Sequence, residues 1–175
     1  MNWTRWTALD AAWTERLSVA EKPGLLRTLA IVLAHSGDSW FWLLGLALVA
    51  LVRPDDWRTW AVQTAAVIVA AAVLVLTVKF SVRRRRPEGN WGAIYRRTDP
   101  HSFPSGHAVR SMLLAVLCLG WGPAWLGWAA LVWAPLVVLA RVAMGVHFLS
   151  DVVAGAVFGI GLGILSLLLL PAPFA

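Results

Sequence analysis

The chain alternates between long apolar runs and short polar breaks. A membrane crossing needs about 20 mostly apolar residues. Thr59–Val78 supplies them with only Gln63 and a few threonines as interruptions. Pro123–Ala140 is uncharged until Arg141, and Phe148–Leu170 carries Asp151 near its start. Ser105–Trp121 is broken only by Arg110 early in the run, and Ser39–Val52 is a shorter fifth segment that the residues before it can lengthen. None of these runs shows the strict alternation of a barrel strand. Backbone polar groups in lipid must be satisfied within the segment, so each run is predicted to be a helix.

The first 38 residues follow a different pattern. Trp3–Leu17 mixes Trp3, Trp6, Leu9, Trp13 and Leu17 with Arg5, Asp10, Glu15 and Arg16, as suits a helix lying in the membrane interface. Leu25–Ala34 is apolar but too short to span alone. It reads as a second interfacial helix, a sixth short span, or the first part of a span broken at Ser36-Gly37-Asp38. No cleavable signal pattern is evident, since the start is tryptophan-rich and lacks the ordered charged, apolar and small-residue regions. The expected architecture is an all-α integral-membrane bundle of five to six transmembrane helices with an N-terminal interfacial helix. Residues 1–175 form one domain, in which 1–38 is the interfacial segment and 83–104 the active-site loop. Pro87, Gly89, Gly92 and Pro100 mark that loop. Gly155, Gly159, Gly161 and Gly163 in the last run read as sites of close helix packing.

Composition narrows the class. With 59% hydrophobic and 14% charged residues, the chain is neither disordered nor an ordinary soluble domain, which carries about 25% charge. The single Cys118 excludes a disulfide framework and a multi-cysteine zinc site. Many of the 12 tryptophans fall near span ends, where interfacial anchoring explains them. The net charge of +6 resides in residues 79–97, where Lys79, Arg83, Arg84, Arg85, Arg86, Arg96 and Arg97 face only Glu88. Bases and acids cancel over the rest of the chain. Nothing in this pattern calls for nucleic acid. The simplest reading of Arg83, Arg84 and Arg85 is a grip on anionic lipid heads.

Counting crossings brings the chemistry-bearing residues together. The span ending at Lys79 feeds the basic loop, and the next span opens near Ser105. That span turns at Trp121-Gly122-Pro123 on the far side, the following one returns to Arg141, and the last opens near Asp151. Lys79, the arginine run 83–86, Ser105, His107, Arg141, His147 and Asp151 therefore reach one membrane face. Ionisable groups at membrane depth are costly and mark function by default. Cations with helix N-terminal amides make an anion site, with Ser105 placed to cap the helix and Gly106 allowing close approach. His147 and Asp151 are four apart, so a carboxylate can fix one imidazole nitrogen and leave the other to attack. His107 is a second imidazole able to protonate a leaving oxygen. These parts suit phosphoryl transfer. A zinc site from His101, His107, His147 and Asp151 is disfavoured by the surrounding cations.

These residues resemble the three-part signature of the PAP2 (type 2 phosphatidic acid phosphatase) superfamily. Lys79 to Arg86-Pro87 matches Lys-x6-Arg-Pro, Pro104-Ser105-Gly106-His107 matches Pro-Ser-Gly-His, and Arg141 with His147 and Asp151 matches the third part. One departure is Ala140, where the family pattern has Ser. The resemblance implies a metal-independent, cofactor-free phosphatase of lipid phosphates or diphosphates. It implies His147 as nucleophile forming a phosphohistidine, Asp151 as its orienting group and His107 as general acid. Lys79, Arg86, Ser105, Gly106 and Arg141 would bind phosphate. Undecaprenyl diphosphate leads among the substrates it suggests, followed by phosphatidylglycerol phosphate and phosphatidic acid. Transfer of the phosphoryl group to an acceptor other than water stays open, and a non-catalytic binder of anionic lipid is the reading from another class. The resemblance also implies a bacterial inner membrane with the site facing the periplasm, whereas the basic stretch by itself favours the cytoplasm.

Overall fold

The computed structural model describes residues 3–89 and 93–174, apart from the side chains of Trp3 and Ile94; Gly92, read above as a loop signal, lies outside the described residues. The named elements of the described chain are all helices: α1 (Trp3–Leu17), α2 (Leu25–Ser36), α3 (Ser39–Val52), α4 (Asp56–Val82), α5 (Ala93–Thr98), α6 (Gly106–Trp121), α7 (Ala124–Ala143) and α8 (Leu149–Leu169). Helices α4, α7 and α8 are each long and apolar enough to cross a membrane. Helices α2 and α3 meet that test only as a pair, bent by 51° at their break. At 14 residues and about 1.5 Å of rise per residue, α3 alone falls short of a bilayer core. Helix α6 is apolar but shorter, at 16 residues.

Helix α6 is the axis of the bundle. Val109, Leu113, Leu114, Leu117 and Cys118 are all buried there, packed with Trp60, Ile68 and Val75 of α4 and Ala130 and Ala134 of α7. Against α8 the approach is backbone to backbone. A methyl group at Gly159 would lie 2.2 Å from the Val109 carbonyl oxygen, and one at Gly155 would lie 2.8 Å from the Ser105 carbonyl. Gly161 faces open space, so the packing role expected of all four glycines fails there. The helical period turns Gly161 away from the face shared by Gly155, Gly159 and Gly163. The outward faces of α3, α4, α7 and α8 carry exposed residues such as Leu48, Val73, Val132 and Val157. A lipid-facing bundle presents such surfaces.

The N-terminal segment closes the ends of the helices beside the site. The first turn of a helix has amides without intrahelical partners. In α8, Leu149 N donates to Thr14 Oγ1 at 3.0 Å and Ser150 N to Asp10 Oδ1 at 3.0 Å. After α1, Val19 N donates to the Ala143 carbonyl at the end of α7, at 2.8 Å. Helix α1 therefore fixes the α7–α8 turn that carries His147.

Candidate active site

A cavity of about 530 Å³ opens where α3, α4, α6 and α7 meet the 83–104 segment. Lys79, Arg86, Arg141, Gly106, His107 and His147 all line it. Lys79 lies in the last turn of α4, which ends at Arg83 in the left-handed conformation. Lys79 pairs with Asp99, and the same carboxylate oxygen accepts from Arg86 Nη2 at 2.7 Å. Arg86 is fixed further by the Asp99 carbonyl at 2.6 Å and the Val146 carbonyl at 2.8 Å. Arg141, only 1% exposed, has no carboxylate partner among the described residues. Its guanidinium stacks on the Tyr95 ring at 4.9 Å, and its Nε lacks a hydrogen-bond partner. Of these three cations, Lys79 and Arg86 share a single carboxylate, and Arg141 has none within ion-pair distance among the described residues.

His147 sits in the turn between α7 and α8 rather than on α8 itself, and is 1% exposed. Its Nε2 lies 3.1 Å from Arg86 Nη1. Arginine only donates, so Nε2 is the acceptor and the ring proton belongs on Nδ1. Nδ1 is 3.7 Å from Asp151 Oδ2, an ion-pair distance beyond hydrogen-bond reach. Asp151 is itself held by Phe148 N at 2.9 Å and by Arg84 Nη1 at 2.7 Å. Burial, and then the charges of Arg86, Arg141 and Lys79, push the His147 pKa well below its ordinary value. Both effects favour the neutral imidazole, whose Nε2 faces the Arg86 guanidinium.

His107, at the start of α6, faces the same cavity and pairs through Nε2 with Asp38 Oδ1 at 2.7 Å. Gly106 has room: a methyl group there would meet only Val75, at an ordinary 3.6 Å. Ser105 departs from its expected role as a cap. It occupies the N-cap position without a side-chain capping bond, and its Oγ is buried without a partner. Its backbone instead ties α6 to α8, Ser105 N donating to the Asp151 carbonyl at 3.1 Å. Ala140 is turned away from the cavity and packs with Ala30, Ala34, Met144 and Val146. In this chain the missing hydroxyl is a matter of the α2–α7 contact.

Three residues here were missed by sequence reasoning. Arg84, read as a lipid grip, instead bridges Asp151 to Asp10 of α1, at 2.7 Å from each, and lies 4.2 Å over the Phe148 ring. Asp99, in the 83–104 segment, joins two of the cavity's cations. Asp38, read as part of a chain break, holds an imidazole. The four residues weighed for zinc do not assemble. His101 packs edge-on against Phe80, and among the described residues no three His, Cys, Asp or Glu side chains are disposed to hold a metal ion.

An all-helical membrane bundle with imidazoles in a cationic cavity at its helix ends defines a class of membrane enzyme handling phosphate. The PAP2 superfamily model matches residues 60–174, and the chain belongs to that superfamily and is a phosphatase of its kind. It is 36% identical over 148 residues to decaprenylphosphoryl-5-phosphoribose phosphatase of Mycobacterium tuberculosis, covering 83% of this chain and 81% of that one. It is 32% identical over 147 residues to undecaprenyl-diphosphatase of Sulfolobus acidocaldarius, covering 81% and 69%. Its fold is similar to the crystal structure of a transmembrane PAP2-type phosphatidylglycerolphosphate phosphatase from Bacillus subtilis. That likeness has a TM-score of 0.78 at 23% identity and covers 94% of this chain and 86% of that one.

Proposed function

We propose that this protein removes phosphate from a polyprenyl-linked phosphate or diphosphate at the membrane surface, through a phosphohistidine on His147. The observation that carries this reading is one cavity holding Lys79, Arg86, Arg141, His107 and His147 that continues along an apolar wall of Ile68, Ala71, Ala72 and Val75. The charged end suits a phosphate and the apolar end suits the chain that carries it. The polyprenyl carrier is the chemistry shared by the names of the two relatives. Undecaprenyl diphosphate is the first substrate to test and a polyprenyl phosphoribose phosphate the second.

In this reading the phosphate displaces the Asp99 carboxylate and takes Lys79 and Arg86, with Arg141 as the third cation. Ser105 Oγ, buried and unpartnered, is a further donor. His147 Nε2 attacks phosphorus while Asp151 faces its Nδ1–H. His107 protonates the departing oxygen, and water then releases the phosphate. Residues 1–175 act as a single domain, and no cation is required as a cofactor. We assign the active face to the periplasmic side of a bacterial inner membrane. Lys79, Arg84 and Arg86 are held in ion pairs within the site, so the basic stretch is a weaker topology signal than its charge suggests.

Purified protein with a chelator present, assayed on both polyprenyl substrates, phosphatidylglycerol phosphate and phosphatidic acid, is expected to release inorganic phosphate from a polyprenyl substrate. His147→Ala is expected to lose at least about 1,000-fold, the usual scale for a missing nucleophile. Full activity in that variant would end the mechanism. Transfer to an added alcohol in place of phosphate release would identify a phosphotransferase.

A further inference from the structure

The break between α2 and α3 is built with more care than a chain interruption needs. Arg110 holds both sides of it. Its Nε donates to the Gly37 carbonyl at 2.8 Å, and its terminal nitrogens reach that carbonyl and Ser39 Oγ. Trp42 Nε1 donates to the Ser36 carbonyl and Trp133 Nε1 to Ser36 Oγ, both at 2.9 Å. Gly37 is closely confined, since a methyl group there would lie 2.8 Å from Val137 Cγ1 and 3.3 Å from His107 Cδ2. The break is therefore pressed against the His107 ring and locked there.

What it presents to that ring is Asp38. Aspartate is a strong helix N-cap, and Asp38 occupies the N-cap position of α3, yet it makes no side-chain capping bond. Its carboxylate is committed elsewhere, through Oδ1 to His107 Nε2 at 2.7 Å and through Oδ2 to His35 Nδ1 at 3.1 Å. The other charged groups facing His107 are Arg110 on its own helix and Arg141 on α7. Both are cations, so Asp38 is the one carboxylate within hydrogen-bond reach of the ring among the described residues. Arg110 lies three positions after His107 on α6, hence on a neighbouring face. The same helix thus carries the imidazole and the clamp that delivers its carboxylate.

We propose that Asp38 is the positioning residue for His107 as leaving-group acid, which gives the site a second carboxylate–imidazole pair besides Asp151–His147. The inference rests on the phosphatase reading above. Asp38 accepts from His107 Nε2–H, so the transferable proton sits on Nδ1. As His147 Nε2 bonds to phosphorus, the bond from phosphorus to the leaving oxygen breaks and that oxygen takes the Nδ1 proton. His107 is left neutral with Nε2–H still on Asp38. In the second half water attacks phosphorus, its proton passes to His107 Nδ1, and the phosphorus–Nε2 bond breaks. Every proton and electron pair is then returned to its starting place.

A general acid matters most when the leaving group is poor. The test compares Asp38→Asn, Asp38→Glu and wild type on dodecyl phosphate, a poor leaving group, and 4-nitrophenyl phosphate, a good one, in detergent micelles. Asp38→Asn is expected to lose about 100-fold or more in kcat on the alkyl ester and less than about tenfold on the aryl ester, following the usual scale of general acid catalysis. KM should stay within about twofold, and Asp38→Glu should recover part of the alkyl-ester loss. The ratio of the two rates is taken within one preparation, so a smaller folded fraction does not alter it. Equal losses on both esters would assign Asp38 to holding the break and overturn the proposal. Wild-type protein that releases phosphate from neither ester nor either polyprenyl substrate would remove the phosphatase reading, and this inference with it.

Discussion

At the scale of single residues, the proposed chemistry turns on the state of two imidazoles. His147 is buried and surrounded by Arg86, Arg141 and Lys79, which together hold its pKa well below the ordinary range. In the proposed mechanism the neutral form is the nucleophile, and a lowered pKa keeps that form dominant as pH falls. Saturating kcat is therefore expected to show no acid-side inflection from an ordinary histidine near about pH 6.5. A profile from about pH 5 to 8 checks this, and a loss of tenfold per unit beginning near 6.5 would contradict it. Legibility at this scale followed spacing. The family motif singled out His147, Arg86 and His107 because their separations along the chain are short and patterned. Asp38 lies 69 positions from its partner His107 in a stretch with no motif. Only the fold brings them together, so nothing local could reveal the pair.

At the scale of elements, the 83–104 segment is more than a loop. It contains α5, a helix of six residues that is too short to leave a periodic signal in the sequence. Tyr95 on α5 stacks on Arg141 and lies 5.7 Å from the Arg86 guanidinium. Asp99, just beyond it, joins Lys79 and Arg86 through one carboxylate oxygen. In the proposed mechanism an incoming phosphate oxygen adopts that arrangement, and Asp99 would then compete with substrate for the same two cations. Asp99→Asn removes the competing charge and leaves the side chain's volume. It is expected to tighten inhibition by inorganic phosphate severalfold, read as a lower inhibition constant. Weaker inhibition would show that Asp99 organises the cations instead. The N-terminal helix carries a similar lesson. Its amphipathic pattern predicted an interfacial position. Its contacts with the first turn of α8 run directly through Thr14 and Asp10, while the link from Asp10 to Asp151 depends on Arg84, a charge that looked like one of several interchangeable arginines.

At the scale of the whole molecule, the hydrophobic pattern made the bundle legible. The starts and ends of α6, α7 and α8 fall within a few residues of the apolar runs, because lipid imposes helix on any such run. The kink between α2 and α3 was less so, since two short apolar helices fit several arrangements until α6 supplies the clamp. That kink also shapes access to the site. The cavity is bounded by Ser39 and Trp40 at the start of α3 and by Ala71, Ala72, Val75 and Leu76 on α4. Trp40 is 66% exposed and Leu76 49% exposed, and Ala72 is also exposed. These residues line the cavity and face outward, so the cavity opens sideways between α3 and α4, toward the apolar outer surface of the bundle. A substrate anchored in the bilayer can then present its phosphate without leaving the membrane. Ala72→Trp fills this opening from a position where the extra bulk displaces no buried neighbour. It is expected to cut kcat/KM for a long polyprenyl diphosphate by tenfold or more, while 4-nitrophenyl phosphate, which needs no lateral entry, changes by less than about twofold. Equal effects on the two substrates would place the route of entry elsewhere.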